Sequence, residues 1–320
     1  MMQRFPLILY LSFLIVLCMC SCQNEDSLSV FVQPNYQQGY SQEALIDIEG
    51  DATDFISPDL NVADVVSMEL MQEIYDSVND TIWNYNVILP PSYFESETSS
   101  YPVFYILHGL GSGPENEYNG FRLNKLLDYC YLNEIIPEMI VVLPDCKDTY
   151  WVDDYIKGKK YETFFMNQLV PELEYRYRVD TSLKRYIFGF SMGGYGAAHY
   201  AFSYPDMFGY CYSASGTLMG KGGVETPSVL ATIQTIIDKD LPYFTIDIGL
   251  NDNFLTVNRK AHEGLIDLDI QHEYIEREGK HDWTFWRGSL YACLLRIGRL
   301  YYEYNDGFNN AGIHDVFADN

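Results

Sequence analysis

Short apolar runs and longer stretches with helical spacing alternate along most of the chain. The short runs are rich in Val, Ile, Tyr and Phe and predict strands at 68–74, 81–89, 103–107, 139–143, 185–190, 210–214, 244–249 and 272–276. The longer stretches predict helices at 123–136, 161–177, 193–204, 227–238, 258–268 and 283–302. Because strand and helix alternate after the opening hairpin, the pattern predicts an α/β fold with a mostly parallel sheet of about eight strands and helices on both faces.

The N-terminus has the pattern of an export signal. Arg4 supplies a positive charge, and the apolar stretch from Phe5 to Met19 is too short for a comfortable membrane span. It ends at Ser21-Cys22, and a small residue directly before a cysteine resembles the lipobox of bacterial lipoproteins. We therefore expect Cys22 to be acylated, with an ordinary, unlipidated signal peptide as the alternative.

These patterns divide the chain into four parts: a lipoprotein-type signal peptide at 1–21, a polar tether at 22–64, one α/β catalytic domain at 65–303 and a tail at 304–320. The expected location is outside the cytoplasm, periplasmic or at the cell surface, with the lipid as the only membrane contact. The oligomeric state is left open.

Charge and cysteine usage exclude several classes of function. The chain has 45 acidic and 20 basic residues, a net charge of −25 that disfavours nucleic acid and anionic lipid surfaces as partners. The cysteines after the anchor, Cys130, Cys146, Cys211 and Cys293, have neither CxxC nor zinc-site spacing, and their pairing stays open. We expect no metal and no cofactor, and we interpret Asp148, Asp153 and Asp154 as a solvated acidic loop rather than a calcium site.

The segment Gly189-Phe190-Ser191-Met192-Gly193 carries the strongest chemical signal. It is a GxSxG motif between a predicted strand and a predicted helix of small residues, which is the context of a nucleophile elbow in the α/β-hydrolase fold. The turn exposes the serine hydroxyl, and the glycines leave room for its tight backbone. Ser191 is the candidate nucleophile.

A serine hydroxyl needs a base, and this fold supplies the acid and the histidine later in the chain. His199, His262, His272 and His314 fall in predicted helices, a strand or the tail, whereas His281 follows the last strand in a loop. Asp252 follows the preceding strand and is the candidate acid that orients His281. An Asp that only caps the next helix is the alternative interpretation.

Attack of a serine on a carbonyl carbon also requires two backbone N–H groups that meet the negative charge of the transition state. Met192, directly after the nucleophile, is expected to supply one. Leu110, in the glycine-rich segment 108–113 after the third strand, is expected to supply the other. That segment lacks the sequence context of a nucleotide-binding loop, so phosphate binding is rejected.

Five segments together resemble the putative-esterase family, also called the esterase D or feruloyl/acetyl-xylan esterase family. They are YPVFYILHG (101–109), VVLPD (141–145), YIFGFSMGGYGAA (186–198), GLNDNF (249–254) and GKHDWTFW (279–286). The resemblance implies an α/β-hydrolase fold and the same triad and oxyanion positions. Members include feruloyl, acetyl-xylan and tributyrin esterases, S-formylglutathione hydrolases, siderophore esterases and mycolyltransferases, so the substrate stays open.

The leading interpretation is a serine carboxylic-ester hydrolase that acts through an acyl-enzyme on extracellular feruloyl or acetyl polysaccharide esters or on short-chain acyl esters. Trp151 and Trp283 are expected to form an aromatic wall for the substrate. An acyltransferase with the same triad, a thioesterase similar to S-formylglutathione hydrolase and a non-catalytic binding lipoprotein are the alternatives. The export signal disfavours the thioesterase, whose substrate is cytosolic.

Overall fold

The computed structural model describes residues 67–154, 158–220, 227–236 and 240–303. The expected signal peptide, tether and C-terminal tail lie outside these residues. Across the part of the chain described, no helix combines the length and the apolar character needed to cross a membrane.

The elements follow the predicted alternation of strands and helices. The strands are β1 (Met68–Asp76), β2 (Thr81–Leu89), β3 (Val103–Leu107), β4 (Ile140–Pro144), β5 (Asp153–Asp154), β6 (Lys159–Lys160), β7 (Arg185–Phe190), β8 (Phe208–Ala214), β9 (Tyr243–Gly249) and β10 (Glu273–Arg277). The α-helices are α1 (Pro114–Phe121), α2 (Leu123–Leu132), α3 (Tyr161–Phe164), α4 (Val170–Arg176), α5 (Met192–Ser203), α6 (Val229–Gln234), α7 (Leu255–Asp267) and α8 (Trp283–Glu303). A π-helical segment, Phe165–Leu169, joins α3 to α4, and a 3₁₀ turn spans Pro91–Phe94.

Eight of these strands form one sheet in the order β1-β2-β4-β3-β7-β8-β9-β10. The hairpin β1–β2 is antiparallel and joins β4 in antiparallel register, whereas every neighbouring pair from β4 to β10 is parallel. The predicted α/β-hydrolase fold, with a mostly parallel sheet of about eight strands, is confirmed.

The central strands are buried on both faces and feed two cores. On β3, Val103, Tyr105 and Leu107 join the cluster that includes α5 and the helical run 161–176, while Phe104 and Ile106 join the cluster that includes α2 and α8. This division follows from the two-residue period of a strand. Since both faces of the sheet are covered by packed side chains, the loops at the carboxyl ends of the parallel strands are the places that can carry a site.

Helix α2 is shorter than predicted, and helix α1 was not predicted. The predicted helix 123–136 ends at Leu132, because Glu134 takes a left-handed backbone conformation with φ 53° and Pro137 follows. Helix α1 lies in a stretch for which the pattern predicted neither a helix nor a strand, and it borders the pocket at the carboxyl ends of the strands.

The four cysteines of the described residues are buried and free. Burial raises the pKa of the Cys130 thiol to about 12, which keeps it protonated and unreactive near neutral pH. These side chains therefore pack as small apolar groups rather than as bridges.

Candidate active site

The residues that the sequence predicts to take part in catalysis lie at one edge of the sheet. Parallel strands end on the same side, and the loops after β3, β7, β9 and β10 carry Leu110, Ser191, Asp252 and His281, respectively. This edge is where open α/β sheets hold their ligands.

Ser191 lies in a strained turn between β7 and α5. Its backbone has φ 54° and ψ −119°, a conformation that non-glycine residues rarely adopt. A Cβ on Gly189 would lie 2.0 Å from the carbonyl oxygen of Gly193, and a Cβ on Gly193 would lie 1.9 Å from that of Leu107. Glycine at both positions is thus a steric requirement of the turn that presents the Ser191 hydroxyl.

Ser191, His281 and Asp252 form a continuous hydrogen-bonded chain. His281 Nε2 lies 2.9 Å from Ser191 Oγ, and His281 Nδ1 lies 2.9 Å from Asp252 Oδ2. The rings of Trp286 and Phe254 pack edge-on against the imidazole, with centroids 4.9 and 5.1 Å away. The geometry suits an imidazole that accepts the hydroxyl proton on Nε2 and holds its own proton on Nδ1.

The loops that carry Asp252 and His281 are joined by backbone hydrogen bonds. The N–H of Asn251 donates to the carbonyl of Gly279 over 3.0 Å. Burial acts to raise the pKa of the Asp252 carboxyl, but the hydrogen bonds from His281 and from the N–H of Phe254 outweigh it and hold the pKa below its usual range. Asp252 is therefore the carboxylate that fixes the His281 tautomer.

The two predicted oxyanion donors lie next to the nucleophile. Met192 is the first residue of α5, where backbone N–H groups have no acceptor within the helix. Leu110 lies in the β3–α1 loop, which lines the same pocket as Ser191. Both residues lie close to Ser191 in sequence or in the pocket, and the oxyanion hole that they are expected to form stays a prediction.

His108, which precedes that loop, is a structural residue that we did not single out. It is fully buried, its Nε2 accepts the N–H of Cys146 over 3.0 Å, and its Nδ1 lies 2.8 Å from the carbonyl oxygen of Gly109. Because Nε2 is an acceptor, the imidazole is neutral and Nδ1–H is the donor. Asp145, 3.4 Å from Nε2, therefore forms no ion pair with this ring.

A pocket of about 550 Å³ opens over Ser191 and His281. Phe190, Trp283 and Trp286 give it an aromatic wall, and the β3–α1 loop and α1 form the rest. Among the described residues that line it, none is Asp, Glu, Lys or Arg. Its volume and aromatic lining are typical of a small-molecule site, and it suits an uncharged ligand.

The two tryptophans predicted to form the substrate wall have different positions. Trp283 lines the pocket and packs against Phe190 and Trp286. Trp151 is fully buried, donates its indole N–H to the carbonyl of His108 over 3.2 Å and does not line the pocket. The expectation of a substrate contact for Trp151 is corrected, because its burial leaves no face for a ligand.

Sequence reasoning missed the contribution of α1 to the pocket. Asn116 and Asn119 are exposed, lie three residues apart and line the pocket together with Gly120. The sequence offers little indication of this helix, because a helix is recognised by apolar residues at its buried positions and one buried position here is the acidic Glu117.

The other histidines, and two further aspartates near the strand ends, have other positions or partners. Asp247 is buried in an ion pair with Arg277, whose Nη2 lies 2.8 Å from Oδ2. His199 pairs with Glu162, and His262 lies 2.7 Å from His272. Asp282 accepts the N–H of Phe285 and caps α8, and His314 lies outside the described residues.

The acidic loop shows no cation site in its described part. Asp153 accepts hydrogen bonds from the N–H and the hydroxyl of Thr163. Within the residues that the structure describes, no group of three or more His, Cys, Asp or Glu side chains has the arrangement of a metal site.

Known proteins that are similar to this chain include several esterases. A ferulic acid esterase structure is 26% identical, with a TM-score of 0.66, and the match covers 73% of this chain and 99% of that one. The acetyl esterase of Caldicellulosiruptor saccharolyticus is 24% identical over 230 residues, which are 62% of this chain and 84% of the relative.

An esterase of Mycobacterium tuberculosis is 33% identical over 141 residues, 42% of this chain. The matched part is 29% of that relative, so the chain spans less than a third of its length. The sequence model of the family described as "Putative esterase" matches residues 77–297, and the chain belongs to this family.

Proposed function

We propose that the protein hydrolyses uncharged carboxylic esters through an acyl-enzyme on Ser191. The observation that carries the proposal is the unbroken chain from Ser191 Oγ through His281 to Asp252 at the floor of a pocket. A serine with this partner set is activated for acyl transfer. The esterase names of the relatives support the same reaction class.

In the first half-reaction, Ser191 Oγ attacks the ester carbon and its proton moves to His281 Nε2. The carbonyl oxygen becomes an oxyanion, which the N–H groups of Leu110 and Met192 stabilise. Collapse of the tetrahedral intermediate breaks the ester bond, and His281 gives the proton to the leaving alcohol.

In the second half-reaction, water attacks the acyl-enzyme and loses its proton to His281. The carboxylate of Asp252 stabilises the imidazolium in both steps and keeps the imidazole in its productive orientation. The products are the free carboxylic acid and the regenerated Ser191 hydroxyl.

We propose feruloyl or acetyl esters of polysaccharides, or related short-chain esters, as the substrates. An uncharged aromatic pocket supports this choice, as do the names of the ferulic acid esterase and the acetyl esterase to which the chain is similar. The same pocket disfavours S-formylglutathione, whose carboxylates would enter a site without a cationic side chain in an acidic protein.

We also propose that the protein is an exported lipoprotein, acylated on Cys22. The support is the apolar segment that ends at Ser21-Cys22. Export would place the site outside the cytoplasm, where polysaccharide esters occur. A Cys22→Ala variant should leave the membrane fraction and lose metabolic labelling by a palmitate analogue, and a variant that keeps both would contradict the anchor.

The catalytic proposal is tested with soluble protein that begins after Cys22. We expect turnover of p-nitrophenyl acetate and methyl ferulate, and stoichiometric labelling by a fluorophosphonate that mass spectrometry maps to Ser191. The Ser191→Ala variant should lose both. Retention of turnover by Ser191→Ala, or a label on another serine, would overturn the assignment.

A further inference from the structure

One side of the pocket carries polar groups that the proposed mechanism does not use. Asn116 and Asn119 are exposed at the α1 side of the pocket, and no hydrogen bond of either side chain to another described residue is present. Residues three apart on a helix lie on the same face, so the two amides address the same space. Each amide offers both a donor and an acceptor.

Two buried polar atoms of the pocket lining also lack a partner among the described residues. They are Ser112 Oγ and the indole Nε1 of Trp286. Both atoms are fully buried within the lining and are not open to a ligand, so the hydrogen-bonding side chains that α1 exposes to the pocket are the two asparagine amides.

The indole of Trp283 lies against α1, the helix that carries the two asparagines. A Cβ on Gly120 would lie 2.5 Å from the ring of Trp283, so only glycine lets the indole rest against α1. Trp283 also packs edge-on to Phe121, with centroids 5.2 Å apart, which fixes the plane of the indole. Thus a rigid aromatic surface and two free amides border the same space.

We infer that Asn116 and Asn119, together with Trp283, form a specificity subsite for an uncharged ring with an apolar face and hydroxyl groups on its edge. The ring stacks on Trp283 and its hydroxyl groups bond to the two amides. This inference rests on the function proposed above and deepens it. The ring belongs either to a hydroxyaryl acyl group or to the sugar that carries the ester.

The test measures binding in the Ser191→Ala variant, in which no turnover complicates the result. Calorimetry compares methyl ferulate with methyl cinnamate, which lacks the ring hydroxyl and methoxy groups, and compares acetylated xylobiose with ethyl acetate. Asn116→Leu and Asn119→Leu should reduce the preference for the hydroxylated ligand in one of these pairs by about three- to tenfold, the loss of one hydrogen bond. The pair affected identifies the source of the ring.

Asn167→Leu is the matched control, because Asn167 is exposed on the π segment and does not line the pocket. It should leave both preferences unchanged. An unchanged preference in both pairs for both pocket variants, with binding intact, would overturn the subsite, as would failure of every ligand to bind.

Turnover of p-nitrophenyl acetate with Ser191 intact separates this result from the proposed function. Asn167→Leu, whose substitution lies outside the pocket, should cleave this substrate at the unmodified rate. Absence of this activity in the unmodified protein would refute the esterase proposal, whereas the binding preferences decide the subsite.

Discussion

The N–H of Cys146 donates to His108 Nε2 over 3.0 Å and thereby sets the tautomer of a fully buried imidazole. The other ring nitrogen then donates to the carbonyl of Gly109 over 2.8 Å. In a trans peptide the N–H points opposite to the C=O, so holding the Gly109 carbonyl also orients the N–H of Leu110. We therefore expect His108 to position the N–H of Leu110 in the predicted oxyanion hole.

This relationship predicts different outcomes for two amide substitutions of His108. Asn places its NH₂ near the Nδ1 position and keeps the bond to Gly109, whereas Gln places its oxygen near Nε2 and keeps only the bond to Cys146. We expect His108→Asn to retain most of kcat and His108→Gln to lose about 10²-fold or more, as for removal of one oxyanion donor, with little change in KM. Steady-state kinetics on p-nitrophenyl acetate measures both.

Circular dichroism and thermal unfolding would show whether the two His108 variants are equally folded. A kcat that falls in proportion to stability in both variants would assign His108 a purely structural role.

The two tryptophans of the predicted wall should now respond differently. Trp283→Ala removes a pocket surface and should lower kcat/KM for methyl ferulate several-fold more than for p-nitrophenyl acetate, since aromatic pairing adds about 0.5–1.5 kcal/mol beyond area burial. Trp151→Ala removes a buried side chain and should cost about 3–5 kcal/mol of unfolding free energy. Any loss of activity should be the same on both esters.

The matched measurement is chemical denaturation of both variants beside kinetics on both esters. Selective loss of methyl ferulate turnover in a fully stable Trp151→Ala protein would show that Trp151 contacts the substrate, as the sequence predicted.

A physical difference explains why the turn at Ser191 can be recognised in the sequence and the position of Trp151 cannot. Gly189 and Gly193 leave a mark on the sequence because any Cβ there would collide with backbone atoms. The loops that carry Asp252 and His281 can also be recognised in the sequence, because each begins where a buried strand ends. An aromatic side chain has no such signature, since Trp packs well both in a core and in a pocket.

Helix α1 was unpredictable for a related reason. Its amphipathic pattern is broken by Glu117, a fully buried acid, and by Asn116 and Asn119, which are exposed to the pocket rather than packed. Local periodicity identifies a helix only when its buried face is apolar. The contribution of this helix to the site therefore became visible only in three dimensions.

The triad should behave as one catalytic unit. Ser191→Ala and His281→Ala are each expected to remove nearly all ester turnover, and the double variant should be scarcely slower than either single variant. Asp252→Asn should fold normally and lose on the order of 10⁴-fold in kcat, because the amide no longer selects the productive tautomer. Steady-state release of p-nitrophenolate from p-nitrophenyl acetate measures the rates of all four variants, and losses that multiply in the double variant would contradict this expectation.

Glu117 should make stability depend on pH in the direction opposite to that of an ion-paired acid. Burial, with a smaller contribution from Asp145, raises the pKa of its carboxyl well above the usual range, so the folded protein binds a proton that the unfolded chain releases above about pH 4.3. Its contribution to stability is therefore complete below that pH and is lost as the pH rises towards the folded-state pKa. Glu117→Gln removes the ionisation, and its Tm relative to the unmodified protein should rise steadily between pH 5 and pH 9. The control is Glu115→Gln on the same helix, because Glu115 is exposed and its replacement removes no buried carboxyl group.

Parallel Tm curves for Glu117→Gln and the unmodified protein would show that Glu117 is already ionised in the fold.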